Sequence, residues 1–266
     1  METALQIQTA LRSHSVPVPS QTWLLSLVQA QSQATLGALI MTARTRILAC
    51  DLTTPNLLDS AYLSAHTFPI QITSPAATNI NEIRLNRDVV VQILDIENLS
   101  RSRWDQVEEL ESIERGEQTR GRQVIRLPTT NNDDEEDNQA PDLGDASDTQ
   151  QLNTQRTAGG TEGAIQAVAR ERERQARNAT HKLVLQDAKG KKMFGLELKR
   201  MDRIMVGTTC MGEKLLLKTG MMVARGVLLL EPGNCQILGG KVEAWHKEWT
   251  EGRLARLREA VGADVR

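Results

Sequence analysis

The chain of 266 residues is 39% hydrophobic and holds 18 glycines, enough apolar material for a packed core and for one or two domains. A net charge of −2 excludes a basic nucleic-acid coat, and three scattered cysteines without a C-x-x-C pair signal neither a disulfide framework nor a zinc site. Only four Trp, one Tyr and two Phe are present, which disfavours a function built on rows of stacking rings.

The opening residues lack a charged start and an apolar stretch, so no signal peptide is expected. No run of about 18 apolar residues predicts a membrane span. Charge divides the chain: residues 1–100 carry five bases and seven acids, 101–180 eleven and seventeen, 181–266 sixteen and ten. A near-neutral start, an acidic middle and a basic end suggest separate physical modules.

Residues 1–66 read as a helical domain. Ala4, Leu5, Ile7 and Leu11 form a weak helical stripe, which Val16-Pro17-Val18-Pro19 ends. Ser20 is placed to cap a second helix carrying Trp23, Leu24, Leu27 and Val28, and Leu36, Leu39, Ile40, Ala43 and Ile47 mark a third. Residues 67–100 read as a connector, broken by Pro69 and Pro75, followed by a first strand over Val89–Ile96.

Residues 101–180 form a long insertion. Ser102 with Asp105 fits a capping box, and Trp104, Val107, Leu110 and Ile113 predict a short amphipathic helix stopped at Gly116. Val124, Ile125 and Leu127 form a short apolar run among arginines. Asn131–Gln150 holds eight acids and no base, and is expected to be disordered.

Residues 181–241 hold short apolar runs punctuated by nine glycines between Gly190 and Gly240: Leu183–Leu185, a stretch with Phe194, Leu196 and Leu198 alternating, Leu215–Leu217, Val227–Leu230 and Ile237-Leu238. Together with Val89–Ile96 these runs make about five strands plus connecting pieces, the count of an OB-fold. Residues 242–266 predict one helix with Trp245 and Trp249 on one face and Gly252 inside it. The fold class is therefore α+β: an N-terminal three-helix bundle, then an OB-fold five-stranded β-barrel with a long insertion between its first two strands, then a C-terminal helix.

No catalytic constellation appears. The four histidines are scattered, and neither phosphate-binding glycine motifs nor a nucleophile elbow occur. No cofactor or metal is expected, and the chain does not read as an enzyme. Phe194 is the single ring of residues 181–241, so tight autonomous binding of single strands is disfavoured, though the basic half leaves it as the alternative.

The stretches His181–Asp187, Met211–Lys218 and above all Arg225–Val242, with its G-V-L-L-L-x-P-x-N-x-x-x-L-G-G pattern, resemble the RecQ-mediated genome instability protein 1 family. Val18-Pro19 ahead of Trp23-Leu24 resembles the same family's N-terminal helices. The chain looks like the short form with a single OB domain. The resemblance implies a nuclear, noncatalytic subunit of a complex with a type IA topoisomerase III and a RecQ-type helicase, which dissolves double Holliday junctions. DNA would be met weakly or through the complex. The barrel would dock on the topoisomerase and the insertion would modulate its DNA gate. By position, Trp104, Val107, Leu110, Ile113, Val124, Ile125 and Leu127 match the gate insertion, and Lys214 matches a barrel segment in the protein contact.

Overall fold

Each early helix starts where a short polar side chain caps it. Ser20 accepts from Trp23 N, Thr35 from Ala38 N and Asp59 from Tyr62 N, satisfying donors that the first helical turn leaves open. The computed structural model describes residues 1–116, 118–119, 122–123 and 178–262. It begins with α1 (Glu2–Ser13), α2 (Gln21–Ala30) and α3 (Leu36–Ala49), which bury Ile7, Leu11, Leu24, Leu27, Leu39, Ala43 and Ile47 against one another. The expected three helices are present. The prolines between α1 and α2 lie in a buried extended crossing, where Pro19 bridges Leu58 and Asp59 N donates to Val18 O at 3.0 Å.

The helical domain ends with a further short helix, α4 (Ser60–Ala65), and the connector is more structured than expected, with α5 (Ile70–Thr73) and a 3-10 turn (Pro75–Asn79), all too short for periodicity to announce. β1 (Ile83–Arg84) follows.

The barrel is organised around the ten-residue β2 (Val89–Asn98), which pairs antiparallel with β5 (His181–Asp187) on one side and β7 (Lys214–Leu217) on the other. Val89, Val91 and Ile93 point into the barrel, whereas Val90 packs with the helical core. Successive strand residues face opposite sides, so a strand between two cores is apolar on both. β6 (Lys192–Glu197) pairs antiparallel with β5 and parallel with β9 (Val227–Leu230). β8 (Met222–Ala224) and β10 (Cys235–Gly239) complete the eight-stranded sheet, in the order β1-β8-β9-β6-β5-β2-β7-β10. β9 and β10 lie towards opposite ends of that order, yet only residues 231–234 join them. The sheet therefore curls, as in an OB-fold.

Within the insertion come α6 (Arg103–Glu114) and a small hairpin, β3 (Gln118–Thr119) with β4 (Arg122–Gln123). The expected single C-terminal helix is instead two, α7 (Glu243–Glu251) and α8 (Arg253–Val261), divided at Gly252. Each finds a different partner: Trp245 and Trp249 of α7 pack on the barrel core, and α8 lies along α6. Among the described residues no helix is long and apolar enough to cross a membrane.

Candidate interaction surfaces

The insertion leaves and re-enters the barrel at one point. Asn98 pairs with His181, Leu99 N donates to Thr180 O (2.9 Å), and Thr180 N donates to Ser100 Oγ (2.9 Å). Ser102 then caps α6 by accepting from Asp105 N at 3.0 Å, as the capping-box pattern predicts. Buried Gln106 fastens the helix to this root, its Nε2 donating to Asn98 O and Arg101 O at 3.2 Å each. Arg103 reaches back to Glu97 at 2.8 Å, and Lys182 pairs with the same carboxylate. Burial acts to raise the Glu97 carboxyl, but hydrogen bonds and charge from Lys182 and Arg103 outweigh it and hold it below the usual range.

From the other side α8 grips α6. Arg258 donates through Nε (3.0 Å) and Nη2 (2.9 Å) to Glu111 Oε1, and Arg253 Nη2 donates to Gln106 Oε1 at 3.2 Å. Trp104 stays open, 61% exposed. With Val107 it lines a groove that Asp105, Glu108 and Glu111 make acidic.

The predicted stripe on α6 does not hold together as one face. Val107 is buried, Leu110 and Ile113 are half-buried, and Trp104 is exposed. Steps of three fall about 60° short of a full helical turn, so three such steps carry Ile113 to the side opposite Trp104. Val124, Ile125 and Leu127, and the acidic stretch 131–150, lie outside the described residues.

Lys214, which the resemblance places in a barrel segment of the protein contact, is fully buried, and its Nζ donates to Cys50 O (2.7 Å) and Gly212 O (2.6 Å). The ammonium ties the end of α3 to the barrel. Next to it Gln92 accepts from Leu52 N at 3.0 Å and donates to Asp51 Oδ1 at 2.7 Å. Burial pushes Lys214 down to about 8, against the pull of Asp51 and Cys50.

A buried cluster closes the barrel beside the insertion root. Glu197 accepts from His181 N (3.2 Å), lies 2.8 Å from His181 Nδ1, and accepts from Met201 N (2.6 Å), with Arg200 at 3.4 Å. Burial acts to raise this carboxyl, yet these donors and charges hold it below its ordinary value. Its partners are backbone and neighbouring strands, the arrangement of a structural clasp. Among the described residues no three His, Cys, Asp or Glu come together to hold a metal.

On the outer face of β5 and β6, the alternation of Phe194, Leu196 and Leu198 is turned outward: Phe194 is 52% and Leu198 55% exposed. The inward positions are Met193, Gly195 and Glu197. A Cβ on Gly195 would lie 3.0 Å from Cδ1 of both Leu185 and Leu230, so a larger residue there would require those side chains to shift by a few tenths of an ångström.

Helices packed on a curled, closing sheet with an insertion between its first two long strands define an OB-fold protein with an N-terminal helical domain. The comparisons agree. The model of the RMI1 N-terminal OB-fold domain matches residues 68–253, and that of the RMI1 N-terminal helical domain matches residues 11–55. RecQ-mediated genome instability protein 1 of Schizosaccharomyces pombe is 31% identical over 207 residues, covering 76% of this chain and 78% of that protein. The chain belongs to the RMI1 family.

Proposed function

We propose that the chain is a noncatalytic nuclear subunit that acts with a RecQ-type helicase and a type IA topoisomerase III, promoting double Holliday junction dissolution and decatenation. Family membership supports a role in RecQ-linked genome stability. The observation that carries the mechanical part is α6. It is a helix tied to the barrel root by Gln106 and Arg103, presenting one exposed tryptophan above an acidic groove. Tryptophans in such positions are common binding anchors. In this reading the barrel docks on the topoisomerase while α6 and the rest of the insertion bear on its DNA gate. The effect on opening equals the difference in affinity for the open and closed gate.

The test is co-elution of the chain with the topoisomerase, followed by a decatenation assay. The two proteins co-elute, and Trp104→Ala keeps the complex while lowering decatenation by about fivefold or more. Separate elution at micromolar concentration rejects the docking. Unchanged decatenation by the variant rejects the role of α6.

A further inference from the structure

We infer that the groove beside Trp104 is a binding site for an arginine side chain of a partner protein, whose guanidinium stacks on the indole and pairs with Asp105 and Glu108. The inference rests on the reading of α6 as a contact helix, and it adds what the partner presents there.

Trp104, Val107, Glu108 and Glu111 fall at i, i+3, i+4 and i+7, so they share one face of α6, with Asp105 at its edge. The groove they line has a volume of about 220 Å³. That is below the roughly 300 Å³ at which small-molecule pockets begin, and it suits one long side chain. Of the three carboxylates, Glu111 is already engaged, by Arg258 at 2.9 Å and Arg115 at 3.8 Å. Asp105 and Glu108 are exposed, and among the described residues neither carboxylate meets a cation. The arginines just ahead of them in the chain face other acids: Arg101 pairs with Glu109, and Arg103 with Glu97.

The chain completes the same chemistry by itself at another tryptophan. The guanidinium groups of Arg253 and Arg256 lie 5.6 and 5.8 Å from the Trp249 ring centroid, and Trp249 Nε1 donates to Asp95 Oδ1 at 2.6 Å. There the ring, the cations and the carboxylate all come from one molecule. At Trp104 the ring is 61% exposed and the carboxylates are in place, but among the described residues no cation stands over the indole. A cation over that ring is drawn by its quadrupole, and the two free carboxylates add charge-assisted hydrogen bonds. Arginine fits better than lysine, because the planar guanidinium stacks and forks at once. Arginine is also enriched at interface cores, where lysine is depleted. Nucleic acid fits poorly, since the carboxylates repel its phosphates.

The experiment follows the tryptophan indole N–H resonances of the full chain by NMR, with the Trp104 signal identified by its loss in Trp104→Phe. The probe is a short acetylated peptide of alternating arginine and glycine. At millimolar concentration it shifts the Trp104 resonance saturably, whereas the same peptide with citrulline, equal in shape but uncharged, does not. Asp105→Asn combined with Glu108→Gln raises Kd about fivefold. Glu108→Gln alone, which leaves the helix cap untouched, raises it about twofold. Raising salt from about 50 to about 200 mM weakens binding about twofold. A Trp104 signal unmoved by about 10 mM arginine peptide overturns the inference. So does an equal shift with the citrulline peptide, or a shift with protein concentration alone, which would assign the groove to a second copy. The titration contains no topoisomerase, so the two readings fail separately. If Trp104→Ala lowers decatenation while the peptide leaves Trp104 unmoved, the topoisomerase reading stands and the arginine is rejected. A bound peptide with no topoisomerase complex keeps the arginine site and removes that partner.

Discussion

An ammonium group without solvent keeps its proton only while carbonyl oxygens replace the water it has lost. Lys214 is held this way by Cys50 O and Gly212 O, at about 8 rather than the ordinary 10.5. Across that interval the unfolded chain binds more protons than the folded one, so stability rises as pH rises. Measured by urea unfolding, the stability of wild type relative to Lys214→Met should increase by about 2 kcal/mol between pH 7.5 and 10. A difference that stays flat would show a lysine titrating as if in water. The sequence could not reveal this residue's position. Lys214 to Leu217 reads as a strand with a polar start, but β7 lies between two cores. Leu215 and Leu217 fill the barrel, while Leu216 and Lys214 turn to the helices. Burial on both sides is a property of the neighbours, which local pattern does not contain.

α6 and α8 depend on each other in the same non-local way. Neither has a wide apolar face, and Arg258 with Glu111 and Arg253 with Gln106 set their register. The Arg258–Glu111 pair is about one-third exposed, so it contributes about 0.5–1 kcal/mol. Glu111→Arg should therefore raise amide exchange in α6 by about threefold, and adding Arg258→Glu should restore protection. If the double variant exchanges as fast as the single, the pair does not hold the helix. The capping box at Ser102, the Ser20 cap and the long β-branched run of β2 were all readable, because cap chemistry and strand propensity act within a few residues. The division at Gly252 was not readable. The sequence there still favours helix on both sides, and the separate partners of α7 and α8 become visible only in the fold.

At the scale of the molecule, the helical bundle and the barrel meet without clearance. Gly240 lies at φ +93°, and a Cβ there would sit 2.3 Å from Leu48 O. Gly240→Ala must push α3 off the barrel or strain the backbone, at a cost of about 3 kcal/mol. Gly233, with nothing within 4 Å, is the matched control, and its alanine variant should melt close to wild type. Equal melting temperatures for the two variants would mean that the seam yields freely. The OB architecture was legible from short apolar runs and glycine punctuation, although the sheet has eight strands rather than the five expected. The parallel pairing of β6 with β9 and the curling of the sheet were not, since strand order is set by contacts far apart in sequence.

The stitched root of the insertion has a consequence for how such a chain can change. Leu99 and Ser100 are fastened to Thr180, so the barrel meets residues 101–179 as a single closed stem. Doubling the length of a loop whose ends are already fixed adds only about 0.6 kcal/mol of closure entropy. The barrel is thus nearly indifferent to how much chain the stem carries beyond α6, the part that α8 also holds. The length and charge of that chain are free to drift while the strands that carry it stay unchanged.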